Sequence, residues 1–395
     1  MQQKDLKEHI YYILRYWQKA VDFEHGGIHF QRQNFSKDPI KQGKKCLLMH
    51  ARQLYDFSVG FEYGFNDAQK IALHLYNSID KVFPRYRGLH YSFNFSDMPS
   101  EKNLLSSYDL FYVVIGLSRY AKTFNDKEAF SKAKVIFLST ISFFIDDSLS
   151  ERGIFTNFNT KEKNFFGKTG NSILHLLEAS INLMIAAQRI FGDDLWKNEV
   201  QDITKFISPL YRLYEQRIYD KKLQVTDELF NDDFSPSDEQ KYGYATGSHA
   251  LEWFGFWLEI SWLLGQKTEF LRESARALVD MTLKRCFYPN GCFQNNYFLR
   301  ERKTFPVASF WAQPEAILGS FYAATFFGKR QYAVLGEKMF NFYVKNFPDR
   351  KFGGIFSDVT YNNVIINRNK GFSMKCDHHP IRMCEKIIGY NLLGK

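Results

Sequence analysis

The chain has 395 residues, of which 45% are hydrophobic, 17% aromatic and 24% charged, a composition that supports a large buried core, and the length exceeds one ordinary domain yet allows a single domain over residues 1–395. No run approaches the ~18 apolar residues that a membrane span needs. The net charge of +9 does not predict a nucleic-acid partner, because only KQGKK (41–45) and RERK (300–303) are locally dense and acids lie between the other bases.

The N-terminus, MQQKDLKEHIYYIL, is charged where an export signal is apolar. The cysteines (46, 286, 292, 376, 384) are odd in number. Together these features predict reduced thiols in the cytoplasm. Neither Cys376 and Cys384 nor Cys286 and Cys292 has the tight spacing of a zinc site, so a metal site is not expected.

A glycine–hydrophobic–aromatic mark then recurs along the chain: Gly27-Ile28-His29-Phe30, Gly88-Leu89-His90-Tyr91, Gly153-Ile154-Phe155, Gly291-Cys292-Phe293 and Gly354-Ile355-Phe356. A degenerate version, Arg217-Ile218-Tyr219, fills the gap, giving intervals of 61, 65, 64, 74 and 63 residues. A fixed period announces one supersecondary unit stacked repeatedly. Between the marks, stretches such as NSILHLLEASINLMIAAQRIF (171–191) and ALEWFGFWLEISWLLG (250–265) carry apolar residues at helical spacing. Each interval holds one apolar and one amphipathic helix, joined by Gly/Asn/Asp turns. Six such pairs closed into a ring, apolar helices inside, predict an all-α (α/α)6 barrel with short β-hairpins at one end. The segment NDDFSPSDEQKYGYATG (231–247) in the longest interval reads as an inserted loop.

Counting forward from each mark to the first unusual polar or aromatic residue on the next apolar helix gives one candidate set per repeat. The set is Arg52, Tyr108, His175, His249, Trp311 with Glu315, and His379, at offsets of 25, 20, 22, 32, 20 with 24, and 25 residues. Side chains at similar offsets in stacked repeats converge on one mouth of the ring. His175 shares its helix face with Asn171 and Glu178, and His249 shares its face with Glu252. Each candidate has an ordinary alternative. His175 and Trp311 could be core residues, His249 with Glu252 a capping arrangement, Arg52 a snorkelling cation, and His379 part of a surface turn before Pro380. Cys376 and Cys384 are assigned to packing.

At these positions the chain resembles the N-acylglucosamine 2-epimerase family of sugar epimerases and isomerases. NSILHLLEA (171–179) resembles the family's Asn-x-x-x-His-Leu-x-Glu-Ala element, GSHALEW (247–253) its Gly-His-x-x-Glu-Trp element, and FWAQPEAI (310–317) its Trp-x-Gln-x-Glu-Ala element. KCDHHPIRMCE (375–385) resembles its Lys-x-x-Tyr-His-x-x-Arg element, and ARQLYDFS (51–58) is similar to the segment carrying its active-site arginine. The departures are Ser248 between glycine and histidine, His378 in place of tyrosine, Pro314 inside the Gln-x-Glu element, and Phe310 where two tryptophans often stand.

The resemblance implies an (α/α)6 barrel acting on a small-molecule sugar, as monomer or homodimer, without metal or cofactor. His249 and His379 would be the two acid/base groups, His175 would assist ring opening, and Arg52 would stabilise an enediolate. Asn171, Tyr108, Glu252, Trp311 and Glu315 would bind substrate or orient the histidines. The reaction expected is C2 epimerisation of an aldose; an aldose–ketose isomerase would use the same residues. A glycoside hydrolase is disfavoured because it needs two carboxylates across the scissile bond. A non-catalytic sugar-binding relative would not need all three histidines and Arg52.

Overall fold

The computed structural model describes residues 1–30, 45–91, 104–265 and 269–393, with the side chains of Tyr242 and of residues 269–272 outside that description. Of the two basic stretches, KQGKK therefore lies outside it except for Lys45, which is buried and paired with Asp22.

The longer helices fall into two classes. The apolar ones are α2 (Leu47–Glu62), α4 (Ser107–Phe124), α6 (Gly170–Phe191), α8 (Gly247–Leu264), α10 (Ala312–Phe327) and α12 (His378–Gly389). Each is buried almost all round; in α8 every residue from Ala250 to Ser261 is buried. A helix without a polar face must be enclosed. Successive members pack side by side, and α12 returns to α2, which closes the ring.

The amphipathic helices α3 (Ala68–Val82), α5 (Lys127–Phe144), α7 (Ile207–Leu213), α9 (Glu269–Cys286) and α11 (Arg330–Asn346) each lie on the inner helix that precedes them in sequence. In α3, residues 68, 71, 72, 75, 78 and 79 are buried, the one-sided spacing that a helix covering a core requires. The first helix, α1 (Gln3–Trp17), packs on α12. The N-terminal helix thus supplies the outer partner of the C-terminal inner helix.

The inner helices approach closely. A Cβ on Gly116 of α4 would lie 2.5 Å from the carbonyl oxygen of Ala51 on α2, so only glycine permits this crossing.

Every glycine mark sits between the end of an outer helix and the start of the next inner one. Antiparallel pairings close the loops at Val21 with Ile28, Arg85–Tyr86 with Leu89–His90, Ile145 with Ile154, Phe287 with Phe293, and Pro348 with Ile355. The glycines themselves adopt positive φ: 77° at Gly27, 83° at Gly88, 65° at Gly153, 96° at Gly291 and 77° at Gly354. That conformation carries no steric penalty without a Cβ.

The sixth mark is not at Arg217-Ile218-Tyr219. There the hairpin pairs Tyr219–Asp220 with Val225–Thr226, and Gln224 takes the positive-φ position at 53°. The turn geometry is kept while the glycine that would announce it is absent. Counting from Gln224 changes the intervals of 64 and 74 to 71 and 67.

The same end of the ring carries the small sheets. Strands Leu104–Ser106, Lys168–Thr169, Tyr244–Thr246 and Val307–Ser309 lead directly into α4, α6, α8 and α10. Each pairs antiparallel with a strand of the following repeat, at Asn157–Asn159, Leu229–Phe230, Asn296–Phe298 and Asp358–Thr360 respectively. These ladders stitch neighbouring repeats together where the inner helices begin, which fixes the rim around the mouth.

Candidate active site

A cavity of about 890 Å³ opens at this end. The first turns of the inner helices form its floor, and Glu239, Gln240 and Tyr244 of the predicted inserted loop form part of its wall. Four of the nine residues singled out from sequence line it: Tyr108, Asn171, His249 and Trp311. The other five, Arg52, His175, Glu252, Glu315 and His379, are buried in the layer beneath. The reason is helical: Tyr108, Asn171 and His249 fall in the first turn of their helices, whereas Arg52, His175 and Glu252 lie about a turn further in.

The two layers are in contact. Trp311 stands between two imidazoles, its ring centroid 5.0 Å from His249 and 5.9 Å from His379. Tyr108 packs edge-on against His175 at 5.0 Å, and its hydroxyl accepts a hydrogen bond of 2.8 Å from Nη2 of Arg52. Nη1 of Arg52 donates to the carbonyl of Met374 at 3.1 Å, and the guanidinium lies 4.2 Å from the centroid of the Tyr112 ring. Among the described residues Arg52 has no carboxylate partner within ion-pair distance, and its Nε has no hydrogen bond. A buried cation paired only with phenols and a carbonyl is available to a substrate anion.

All three imidazoles are held in one manner. Nδ1 of His175 lies 2.8 Å from Glu178 Oε2, Nδ1 of His249 lies 2.6 Å from Glu228 Oε1, and Nδ1 of His379 lies 2.9 Å from Glu315 Oε1. An ionised carboxylate can only accept, so each Nδ1 donates to its glutamate, and Nε2 is the nitrogen left to exchange protons, carrying a lone pair when the ring is neutral. Among the described residues Nε2 of His175 meets only the Tyr112 hydroxyl, at 3.5 Å. Burial lowers the pKa of His175 and His379; for His379 the positive charges of Arg52 and Arg382 add to it and push the pKa well below the ordinary value. His379 is therefore neutral near pH 7, the form that accepts a proton.

Beneath the histidines Arg382 joins three carboxylates. Its Nε lies 2.9 Å from Glu178, its Nη1 donates to Glu315, and Glu252 lies 3.9 Å away. Burial would raise Glu178, but Arg382 and His175 outweigh it and keep that carboxyl ionised. Burial, and then the carboxylate of Glu315, push Glu252 well above the ordinary range. Oε2 of Glu252 has no hydrogen-bond partner. Burial raises Glu315 as well, but Glu315 is bound by both Arg382 and His379, so of these two acids Glu252 is the more easily protonated. Glu252, Glu315 and His379 each bring one potential ligand atom within 4.8 Å of the others. The Arg382 guanidinium already faces both carboxylates, so a divalent cation would meet a like charge there.

Several contributors were not among the sequence-derived candidates. The helical spacing paired His249 with Glu252, but its partner is Glu228, 21 residues upstream and just ahead of a strand; no local periodicity signals that contact. Tyr112 follows Tyr108 by one helical turn, and Arg382 follows His379 by three residues. Same-face spacing could have found both. All five cysteines are buried and free, which agrees with a packing role for Cys376 and Cys384.

Residues 29–379 match the sequence profile of the family described as N-acylglucosamine 2-epimerase (GlcNAc 2-epimerase). The chain belongs to the N-acylglucosamine 2-epimerase family. It is 22% identical to a cellobiose 2-epimerase of Ruminococcus albus over 98% of this chain and 97% of that one. Its fold is similar to that of a solved sugar epimerase from a ruminal bacterium (TM-score 0.83, 19% identity, 99% of each chain). It is similar as well to a D-mannose isomerase (TM-score 0.82, 16% identity, 98% of each chain). In this family member, as in those (α/α)6 barrels, six inner helices surround the axis. Among the described residues no helix is long and apolar enough to cross a membrane.

Proposed function

We propose that the protein is a sugar 2-epimerase, interconverting the C2 epimers of an aldose through a cis-enediolate. The aldose would be of the mannose/glucose type, free, at the reducing end of a disaccharide, or N-acylated. The supporting observation is that three imidazoles, each with Nδ1 held by its own glutamate, gather with the guanidinium of Arg52 at and just beneath the floor of one cavity, which His249 lines directly. Family membership supplies the reaction class.

Once the sugar ring has opened, the C1 carbonyl acidifies the proton on C2. In this reading His249 and His379 are the acid/base pair: the imidazole that starts neutral takes the C2 proton on Nε2, and the other, which starts as imidazolium, returns its Nε2 proton to the opposite face, so the total proton count is unchanged and the two histidines exchange protonation states. His175, beside Tyr108 and Tyr112, assists ring opening by hydrogen bonding at the carbonyl oxygen. Arg52 stabilises the enediolate, a preorganised contribution of roughly 3 kcal/mol. Trp311 offers a face for the sugar ring, while Asn171 and Tyr108 contact its hydroxyls. Glu228, Glu315 and Glu178 fix the imidazole tautomers, and Glu252, whose Oε2 has no hydrogen-bond partner, is left to hold a sugar hydroxyl.

Incubation with mannose, glucose, cellobiose and N-acetylmannosamine in D2O, followed by NMR, tests this. Deuterium at C2 of an epimer is the expected result. A ketose product would assign the protein as an aldose–ketose isomerase using the same groups. Absence of C2 exchange with every sugar overturns both. His379→Ala should abolish exchange, and survival near the wild-type rate would overturn the assignment of the base.

A further inference from the structure

Next to His379 on α12 is a second imidazole that the reaction does not use. His378 is fully buried, and its Nδ1 lies 2.8 Å from Oδ1 of Asp56 on α2. Asp56 is fully buried too; its Oδ2 accepts from Nε2 of Gln53 at 3.0 Å, and the same amide donates to the carbonyl of Cys376 at 2.9 Å. The His378 ring meets Tyr55 at 4.9 Å, Tyr112 at 5.8 Å and His379 at 5.7 Å, all close to edge-on. Asp56 lies one helical turn beyond Arg52, so its hydrogen bond to His378 connects the helix of the guanidinium to the first turn of the helix of the base, while Tyr55 on α2 reaches Glu385 further along α12 at 3.2 Å.

The start of α12 lacks the usual local support. Its N-cap, Asp377, is in the left-handed region at φ 61° and makes no capping hydrogen bond to the helix. The Asp377 carboxylate is occupied instead by Trp17 and Lys375. With no cap to seat the first turn, contacts to neighbouring helices must do so, and Asp56–His378 is the polar one that reaches α2.

We propose that His378 is the positioning residue for His379: its hydrogen bond to Asp56 clamps the first turn of α12 to α2 and sets the placement of His379 relative to Arg52. The proposal rests on the reading of His379 as an acid/base group. Burial, and then the charge of Arg52, push the His378 imidazole well below its ordinary range, while burial holds the Asp56 carboxyl well above its own. The clamp thus adds no cation beside a base that must stay neutral. An error of about 1 Å in a reacting group costs up to ~100-fold in rate, so a clamp of this kind acts on kcat.

The test compares His378→Phe, which keeps a buried ring but cannot bond Asp56, with His378→Asn, whose amide nitrogen can take the place of Nδ1. On a sugar that shows C2 exchange with the wild-type protein, H378F is expected to lose at least ~10-fold in kcat with KM within about twofold. H378N should stay within about threefold of wild type. Wild-type kcat in H378F, or equal losses in the two variants, overturns the proposal. If H378F does not fold, Asp56→Asn and Asp56→Ala carry the same comparison: retention by D56N with loss by D56A supports the clamp, and equal kcat values refute it. A wild-type protein that exchanges no sugar would instead refute the epimerase reading itself.

Discussion

Oε1 of Glu228 lies 2.6 Å from Nδ1 of His249, although 21 residues separate the two and Glu228 precedes a strand while His249 stands on α8. The strand Leu229–Phe230 pairs with Lys168–Thr169 ahead of α6, and that ladder carries Glu228 over the start of α8. In Glu228→Gln the amide can donate as well as accept, so the tautomer of His249 is no longer fixed. kcat should fall roughly 10–100-fold, by analogy with the loss seen when the outer partner of a metal-ligating histidine is removed, with the unfolding midpoint nearly unchanged. Wild-type kcat in E228Q would remove Glu228 from the machinery.

Arg382 is the common partner of Glu178 and Glu315. Arg382→Met leaves those carboxylates buried and uncompensated, which costs about 3–5 kcal/mol when one partner of a buried pair is deleted. Urea unfolding of R382M should show that loss. A midpoint equal to wild type would mean that the carboxylates neutralise themselves.

Asp227, beside Glu228, is raised from 3.8 to about 7 by burial, then by the negative charges of Asp220 and Glu228. The folded protein therefore keeps a proton that the unfolded chain releases between pH 3.8 and about 7. The stabilising contribution is complete below the lower value and is lost as pH rises through the upper one, a fall of at most ~4 kcal/mol. Asp227→Asn has no such proton to lose. Denaturant titrations across that window should show the variant gaining on wild type as pH rises and then holding a constant lead; parallel profiles would show that Asp227 titrates normally.

Gly116 has no room for a methyl group, with the Ala51 carbonyl 2.5 Å from the Cβ position. Gly116→Ala should push α4 from α2 and destabilise by roughly 1–3 kcal/mol, the usual range for overpacking. Ala51 precedes Arg52, and Tyr108 on α4 holds that guanidinium. A loss of kcat larger in G116A than in a surface variant of equal stability would connect the crossing to the site, whereas matched activity would separate them.

The amino-acid sequence by itself determined the six-fold repeat, the division into apolar and amphipathic helices, and one candidate residue from each repeat. These are periodic properties, visible along a chain because helix burial and turn glycines repeat with it. Even there, Gln224 hid one mark, since backbone geometry can be met without the residue that favours it. Family motifs identified His175, His249, His379 and Arg52. Tertiary structure alone decided how those groups are wired. His249 pairs with a distant glutamate rather than its helical neighbour, Arg382 gathers carboxylates from three inner helices, and His378 ties α12 to α2. Such contacts arise from closing the ring, which brings together residues as many as 360 positions apart, as at Trp17 and Asp377. Hydrogen bonding depends on distance in space, and no period along the chain encodes it.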